Sequence, residues 1–201
     1  MPLVRRRLVA GLAFLGAALL GTPGAHAADA PAGADVIGDP NAPVTIIEYA
    51  SLGCPHCAAF WTGTLPELKK RYIDTGKAKL EFRDFPLDEV ALRAHQIARC
   101  AGPERRERYL DVFFRQQAGW ARAKDPVAAI RQIAKLGGMS DDQVKACLAD
   151  KSVEDSILNA RLEGEQKYNV NSTPTFVING KSYAGNKSVD EFGQLIDPLV
   201  R

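Results

Sequence analysis

The fold of this chain is decided by residues 44–57, VTIIEYASLGCPHC. Five of the first six residues are β-branched or aromatic, with Glu48 the exception, and this composition predicts a buried strand. A short loop at 51–53 follows, and Pro55 is typical of the first turn of a helix because it has no amide hydrogen to leave unpaired. The stretch therefore predicts a strand that leads through a loop into a helix, with a C-x-x-C pair at the helix start.

The residues around this stretch predict one α/β domain that is interrupted by helices. A second strand is predicted at 79–83, and a hairpin of two strands at 175–184 has Asn179-Gly180 as its turn. From residue 87 onward the apolar residues recur with helical spacing instead. We therefore predict a discontinuous α/β domain at 28–86 and 168–201, with an all-helical insertion at 87–167.

The N-terminus has the organisation of a secretory signal peptide. Three arginines at 5–7 precede thirteen mostly apolar residues at 8–20, and small residues then lead to a predicted cleavage after Ala27. A membrane anchor is the alternative, but spanning a bilayer takes about 20 apolar residues. We therefore predict export to the periplasm, with removal of residues 1–27 and a flexible leading segment at 28–43.

The charge balance excludes nucleic acid as an expected partner. The whole chain has 26 basic and 24 acidic residues. Removing the predicted signal peptide takes away three arginines and no acid, which leaves 23 basic residues and a net charge of −1. A basic surface is the minimum requirement for binding nucleic acid. Four cysteines in 201 residues are also too few for a disulfide-stapled scaffold, so each cysteine needs its own explanation.

Cys54 and Cys57 have the spacing of a redox-active pair. At a helix start the unpaired amides and the helix dipole favour a thiolate on the first cysteine, and Pro55 and a protonated His56 would strengthen this effect. Stabilising the thiolate stabilises the reduced form, which makes the disulfide easier to donate. Two alternatives stay open. A structural disulfide would close too short a loop to add much stability, and a zinc site would need four ligands although the chain has no second C-x-x-C.

These residues resemble the DsbA family of exported thiol:disulfide oxidoreductases, in particular the branch with two cysteine pairs. The resemblance rests on APVT at 42–45, EY at 48–49, the CPHC motif and STPT at 172–175. It extends over residues 34–201 and includes the helical insertion. It implies a thioredoxin fold and a role in introducing disulfides into exported proteins, and we expect neither a cofactor nor a metal.

The resemblance also implies roles for individual residues. Cys54 would be the exposed nucleophile that forms the mixed disulfide with substrate, and Cys57 would be its buried partner. Pro174 would be a cis proline that faces the pair, and the backbone of Thr173 would pair with the substrate peptide. Glu48 matches the family's buried acid and would relay the proton of Cys57 through water, with exposure at the strand end as the alternative.

Cys100 and Cys147 lie 47 residues apart on the predicted insertion. Export favours a structural disulfide between them, which would contribute about 4 kcal/mol in the chain-entropy model. A buried free thiol at Cys147 and a role for the bridge in tuning the active-site potential are the alternatives. His95 lies among polar neighbours and is predicted to be on the surface.

From these residues we predict a monomeric dithiol oxidase. A thiolate of a reduced exported protein would attack Cys54 of the oxidised pair, and the second thiol of that substrate would resolve the mixed disulfide. A membrane quinone-linked oxidase of the DsbB type would reoxidise the protein. The alternatives are a disulfide isomerase or reductase with the same site, and a non-catalytic peptide-binding chaperone that uses the groove around Pro174.

Overall fold

The computed structural model describes residues 35–200. The predicted signal peptide and its cleavage site lie outside the described residues. Within them, no helix combines the length and the apolar character that crossing a bilayer requires.

A mixed five-stranded sheet forms the centre of the domain. Its strand order is β1-β3-β2-β4-β5, and only β2 and β3 pair in parallel. The strands are β1 (Asp35–Ile37), β2 (Val44–Ala50), β3 (Ala78–Asp84), β4 (Thr175–Ile178) and β5 (Lys181–Ala184). The predicted hairpin is present, because β4 and β5 pair antiparallel around the turn that begins at Asn179.

Helices cover the sheet and also form a block between β3 and β4. The helices are α1 (Pro55–Ala59), α2 (Leu65–Leu68), α3 (Glu89–Cys100), α4 (Pro103–Arg115), α5 (Gln117–Ala121), α6 (Pro126–Leu136), α7 (Asp141–Ala149), α8 (Lys151–Tyr168) and α9 (Val189–Ile196), followed by a 3₁₀ turn at Asp197–Leu199. All six helices from α3 to α8 fall between β3 and β4 in the chain. The predicted fold class, an α/β domain of the thioredoxin type with a helical insertion, is confirmed.

The helix that begins after Cys54 is interrupted by two π-helical turns. A π-helical turn, Phe60–Thr64, separates α1 from α2, and a second one, Lys69–Ile73, follows α2. In the first of these the N–H of Leu65 donates to the carbonyl of Phe60, one residue further back than in an α-helix. Pro66 is the second residue of α2, just after this wide turn.

The prediction of a flexible segment at 28–43 is wrong at residues 35–37. Residues 35–37 form β1, which pairs antiparallel with β3. The carboxylate of Asp35 lies 2.7 Å from Nε of Arg106 on α4, and burial raises the pKa of Asp35 to about 6. Backbone hydrogen bonds and one largely buried ion pair hold this short strand in place, and neither of them follows from local composition.

Both faces of the sheet are buried, which explains the nearly continuous apolar run in β2. The larger core lies on the face that carries α1 and the insertion helices α3 to α7, and it includes Phe60, Trp61 and Phe82. The smaller core on the opposite face is built around Tyr49 beneath α8. Gly164 of α8 has to be glycine for this packing, because a Cβ there would lie 2.7 Å from the Tyr49 ring.

Candidate active site

Cys54 lies at the N-terminus of α1, at the end of the loop that leaves β2. Its backbone is extended, with φ −85° and ψ 119°, and its carbonyl accepts the first helical hydrogen bond, from the N–H of Ala58 at 3.1 Å. The side chain is only 6% exposed, so the prediction of an exposed nucleophile is wrong for the free protein. Thr173 covers it, because the Cys54 thiol donates a hydrogen bond to the Thr173 carbonyl at 3.2 Å.

The surroundings of Cys54 stabilise its thiolate and lower its pKa from the ordinary 9.0 to about 5. The largest contribution is a hydrogen bond from the thiol of Cys57. The backbone N–H groups of Cys57 and His56 act in the same direction, while burial opposes them. These N–H groups are available because the first turn of a helix leaves its amides without helical partners.

The pKa of the Cys57 thiol is shifted in the opposite direction from that of Cys54. Its side chain is completely buried, and burial raises the pKa of its thiol far above the ordinary value. The hydrogen bond that it gives to Cys54 and the negative charge of Glu48 raise the pKa further. At neutral pH the pair therefore holds one proton on Cys57 and a thiolate on Cys54.

The lowered pKa of Cys54 makes the stability of the dithiol protein depend on pH. Between about pH 5 and pH 9 the unfolded chain binds one more proton at Cys54 than the folded protein does, so the free energy of unfolding rises with pH. Relative to a Cys54→Ser variant, we expect the free energy of unfolding to be up to about 3 kcal/mol higher at pH 7 than at pH 5. Below about pH 5 this difference disappears, because Cys54 is then protonated in the folded protein as well. Urea unfolding of both reduced proteins at several pH values measures this difference. Parallel pH profiles would contradict the low pKa.

Glu48 lies on β2 beneath the cysteine pair and is completely buried, so the alternative of an exposed strand-end residue is wrong. Neither carboxylate oxygen has a hydrogen-bond partner within residues 35–200. Burial, followed by the charge of Cys54, raises the pKa of Glu48 well above its ordinary value. Glu48 is thus a protonatable group whose charge is felt by Cys57.

Thr173 and Pro174 approach the pair from the beginning of β4. The peptide bond between them is cis, and the Pro174 carbonyl accepts a hydrogen bond from the N–H of Gly185 at the end of the hairpin. The structure therefore places the Thr173 carbonyl against Cys54, and the bond before Pro174 is cis, as the resemblance implied. Their role toward substrate stays a prediction.

His95 is a buried residue of the site, and the prediction of a surface position is wrong. It is completely buried on α3, where its Nδ1 contacts the Asp84 carboxylate and its Nε2 accepts a hydrogen bond from the N–H of Leu52 at 3.1 Å. Asp84 is buried as well and also binds Arg99 and Arg106. These four charged or polar side chains gather from different elements and satisfy one another, so polar neighbours in the sequence did not indicate exposure.

Gln117 on α5 is the site residue that sequence reasoning missed. Its side-chain amide donates to the carbonyls of Leu52 at 2.6 Å and Cys54 at 2.9 Å. No sequence signal marks it, because α5 is a short helix without clear periodicity and a single glutamine is usually a surface residue. The predicted residues Pro55 and His56 lie in the first turn of α1, and the His56 side chain is exposed. The predicted pair Cys100 and Cys147 is joined by a disulfide between α3 and α7, with a Cα–Cα distance of 6.0 Å.

The described residues contain no group of three or more His, Cys, Asp or Glu side chains that could hold a metal ion. The site offers a thiol of low pKa at Cys54, a thiol of high pKa at Cys57 and one buried acid, Glu48.

Comparison with known proteins agrees with this geometry. The model of a family described as Thioredoxin matches residues 32–198. The crystal structure of Wolbachia pipientis alpha-DsbA1 superimposes with a TM-score of 0.77 at 31% sequence identity, over 84% of this chain and 92% of that one. This chain belongs to the DsbA family. The match of the DsbA structure over most of both chains includes the insertion as well as the sheet.

Curated relatives of this DsbA-family chain carry related names. A Rickettsia felis protein with the provisional name of protein-disulfide oxidoreductase is 34% identical over 167 residues, which are 82% of this chain and 59% of that protein. Disulfide bond formation protein D of Bacillus subtilis is 25% identical over 179 residues, which are 84% of this chain and 78% of that protein. The chain thus spans about three fifths of the length of its Rickettsia felis relative.

Proposed function

We propose that this protein is a thiol:disulfide oxidoreductase that donates the Cys54–Cys57 disulfide to reduced cysteine pairs of exported proteins. The observation that carries the proposal is the opposite pKa shift of the two thiols, down to about 5 for Cys54 and upward for Cys57. Hydrogen bonds to the Cys54 thiolate exist only after the disulfide has been reduced. They therefore stabilise the dithiol relative to the disulfide, and a protein with a favoured dithiol form is an oxidant.

The first step is attack of a substrate thiolate on Sγ of Cys54 in the oxidised protein. The substrate–Cys54 bond forms while the Cys54–Cys57 bond breaks, and Cys57 leaves with the electron pair. Because the pKa of Cys57 is high, it takes up a proton as it leaves. Glu48 is a buried acid with a raised pKa close to Cys57, and it supports this proton transfer.

The second step releases the oxidised substrate. The second thiolate of the substrate attacks the substrate sulfur of the mixed disulfide, and Cys54 leaves as a thiolate. A thiolate of low pKa is a good leaving group, so the hydrogen bonds at the start of α1 favour this step. Two electrons have then moved from the substrate to the protein, which holds them as the Cys54 thiolate and the Cys57 thiol.

The surroundings of the pair suit an extended substrate. Thr173 presents its carbonyl to Cys54 at the beginning of β4, where a substrate strand would replace the thiol as the partner of this backbone. Repeated turnover needs a two-electron acceptor, and by its family the expected one is a membrane quinone-linked oxidase of the DsbB type. The predicted signal peptide supports action outside the cytoplasm, and the Cys100–Cys147 bridge fits a structural role in the insertion.

Equilibration of the purified protein with defined ratios of reduced and oxidised glutathione tests the proposal. We expect the Cys54–Cys57 pair to be largely reduced in a buffer whose potential is near that of thioredoxin, about −270 mV, and to become oxidised only in a much more oxidising buffer. Quenching by acid and alkylation of free thiols report the reduced fraction. A midpoint near −270 mV would contradict the donor role and favour the reductase or isomerase alternative.

A further inference from the structure

The backbone of Leu52, two residues before Cys54, is held on both sides by side chains of the helical insertion. Its N–H donates to Nε2 of His95 at 3.1 Å, and its carbonyl accepts from Nε2 of Gln117 at 2.6 Å. Leu52 is completely buried, so water does not replace either partner. Both polar groups of this residue therefore depend on side chains that lie 43 and 65 residues further along the chain.

Gln117 also connects this loop to the helix that carries the redox pair. The same amide nitrogen donates to the Cys54 carbonyl at 2.9 Å, and that carbonyl already accepts the N–H of Ala58. An amide nitrogen has two hydrogens, and here both are used on carbonyls that flank the turn into α1. Gln117 thereby holds the two ends of this turn against one point on α5.

His95 is oriented for its contact by a buried ionic cluster. Because Nε2 accepts the hydrogen bond from Leu52, the ring hydrogen of the neutral imidazole is on Nδ1, where it is directed at Asp84. Arg99 and Arg106 bind the same carboxylate, so its negative charge is shared among three partners. This arrangement keeps Nε2 free to accept from the loop.

We propose that Gln117 and His95 are positioning residues for the exchange reaction, acting through the backbone of residues 52–54. The inference rests on the proposed function. The Cys54 thiolate depends on N–H groups of His56 and Cys57, and these contacts weaken steeply when distance or angle changes. A loop that is held by the insertion keeps Sγ of Cys54 over these donors. The insertion thus contributes to the acidity of the nucleophile as well as to the core.

The matched pair of variants Gln117→Met and Gln96→Met tests this inference. Gln96 is also a fully buried glutamine of the insertion, but its side chain contacts Arg93 rather than the loop. Both changes replace an amide by an apolar chain of similar length, so both affect stability. We expect the pKa of Cys54, measured by thiolate absorbance in the reduced protein, to rise by about one unit in Gln117→Met only, and the protein to become about tenfold less oxidising toward glutathione.

Two further variants keep the test decisive. If Gln117→Met does not fold, Gln117→Asn retains the amide but is one methylene shorter and cannot reach both carbonyls. The His95→Leu change is expected to raise the pKa of Cys54. The His95→Gln change keeps an acceptor for the Leu52 N–H and is expected to bring the pKa of Cys54 part of the way back to its value in the unmodified protein. Equal Cys54 pKa values in the Gln117 and Gln96 variants would overturn the inference. An ordinary Cys54 pKa in the unmodified protein would instead contradict the proposed function.

Discussion

Replacement of Cys54 by serine is expected to lower the rate of disulfide transfer to a reduced protein by more than about a thousandfold. The reason is that the substrate sulfur has to form a covalent bond with Sγ of Cys54, and the oxygen of a serine side chain cannot replace this sulfur in a disulfide bond. The low pKa that makes Cys54 a good leaving group is lost with the thiol. Oxidative refolding of a reduced protein substrate, followed by the recovery of its enzymatic activity, measures the rate.

The Cys57→Ser variant is the informative control for this prediction. It keeps the Cys54 thiolate but removes the buried partner, so it cannot store a disulfide within the pair. When it is mixed with a protein that contains a disulfide, we expect the Cys54 thiolate to attack one sulfur of that disulfide, which releases the other sulfur as a thiolate. The mixed disulfide persists because Cys57 is missing, and it is detected as an added mass that dithiothreitol removes. Substrate oxidation by Cys54→Ser at the rate of the unmodified protein would show that Cys54 is not the nucleophile. Full function in a variant that lacks both Cys54 and Cys57 would favour the alternative of a non-catalytic peptide-binding chaperone.

Replacement of Asp84 by asparagine is expected to lower the free energy of unfolding by about 3 kcal/mol or more. Asp84 is completely buried at the end of β3, and its carboxylate binds Arg106 with both oxygens, at 3.0 and 2.9 Å, and Arg99 at 2.6 Å. The charge of Arg106, together with the hydrogen bond from His95 and the charge of Arg99, holds the pKa of Asp84 far below its ordinary value despite burial. Asparagine has the same shape, so the loss reports the unpaired charges that remain.

Chemical denaturation at neutral pH measures this loss, with Glu107→Gln as the comparison. Glu107 forms an exposed ion pair with Lys69 at 3.0 Å, and exposed pairs contribute about 0–1 kcal/mol. The two variants each remove one carboxylate charge, so they separate the effect of burial from the effect of net charge. A loss of less than 1 kcal/mol for Asp84→Asn would mean that the arginines find other partners.

The local structure around the redox pair could be predicted because it depends on residues that are close together in the sequence. Val44–Ala50 is a strand with a nearly continuous apolar sequence, and Pro55 begins the helix that follows, so the position of Cys54 at a helix start follows from neighbouring residues alone. The hairpin around Asn179 is equally local, since its two turn residues need a positive φ. The strand Asp35–Ile37 was not foreseen, because its pairing with β3 is decided by a distant partner.

By itself, the amino-acid sequence determined the chemistry of this protein: two thiols with C-x-x-C spacing at a helix start, an acid on the preceding strand and a helical insertion. Only the tertiary structure decided how that chemistry is controlled. Three groups contact the redox loop from far along the chain. The Thr173 carbonyl is 119 residues from Cys54, the Gln117 amide is 63 residues from Cys54 and 65 from Leu52, and the His95 ring is 43 residues from Leu52. Such contacts depend on how whole elements pack, and periodicity and spacing along the chain carry no information about which polar groups then meet.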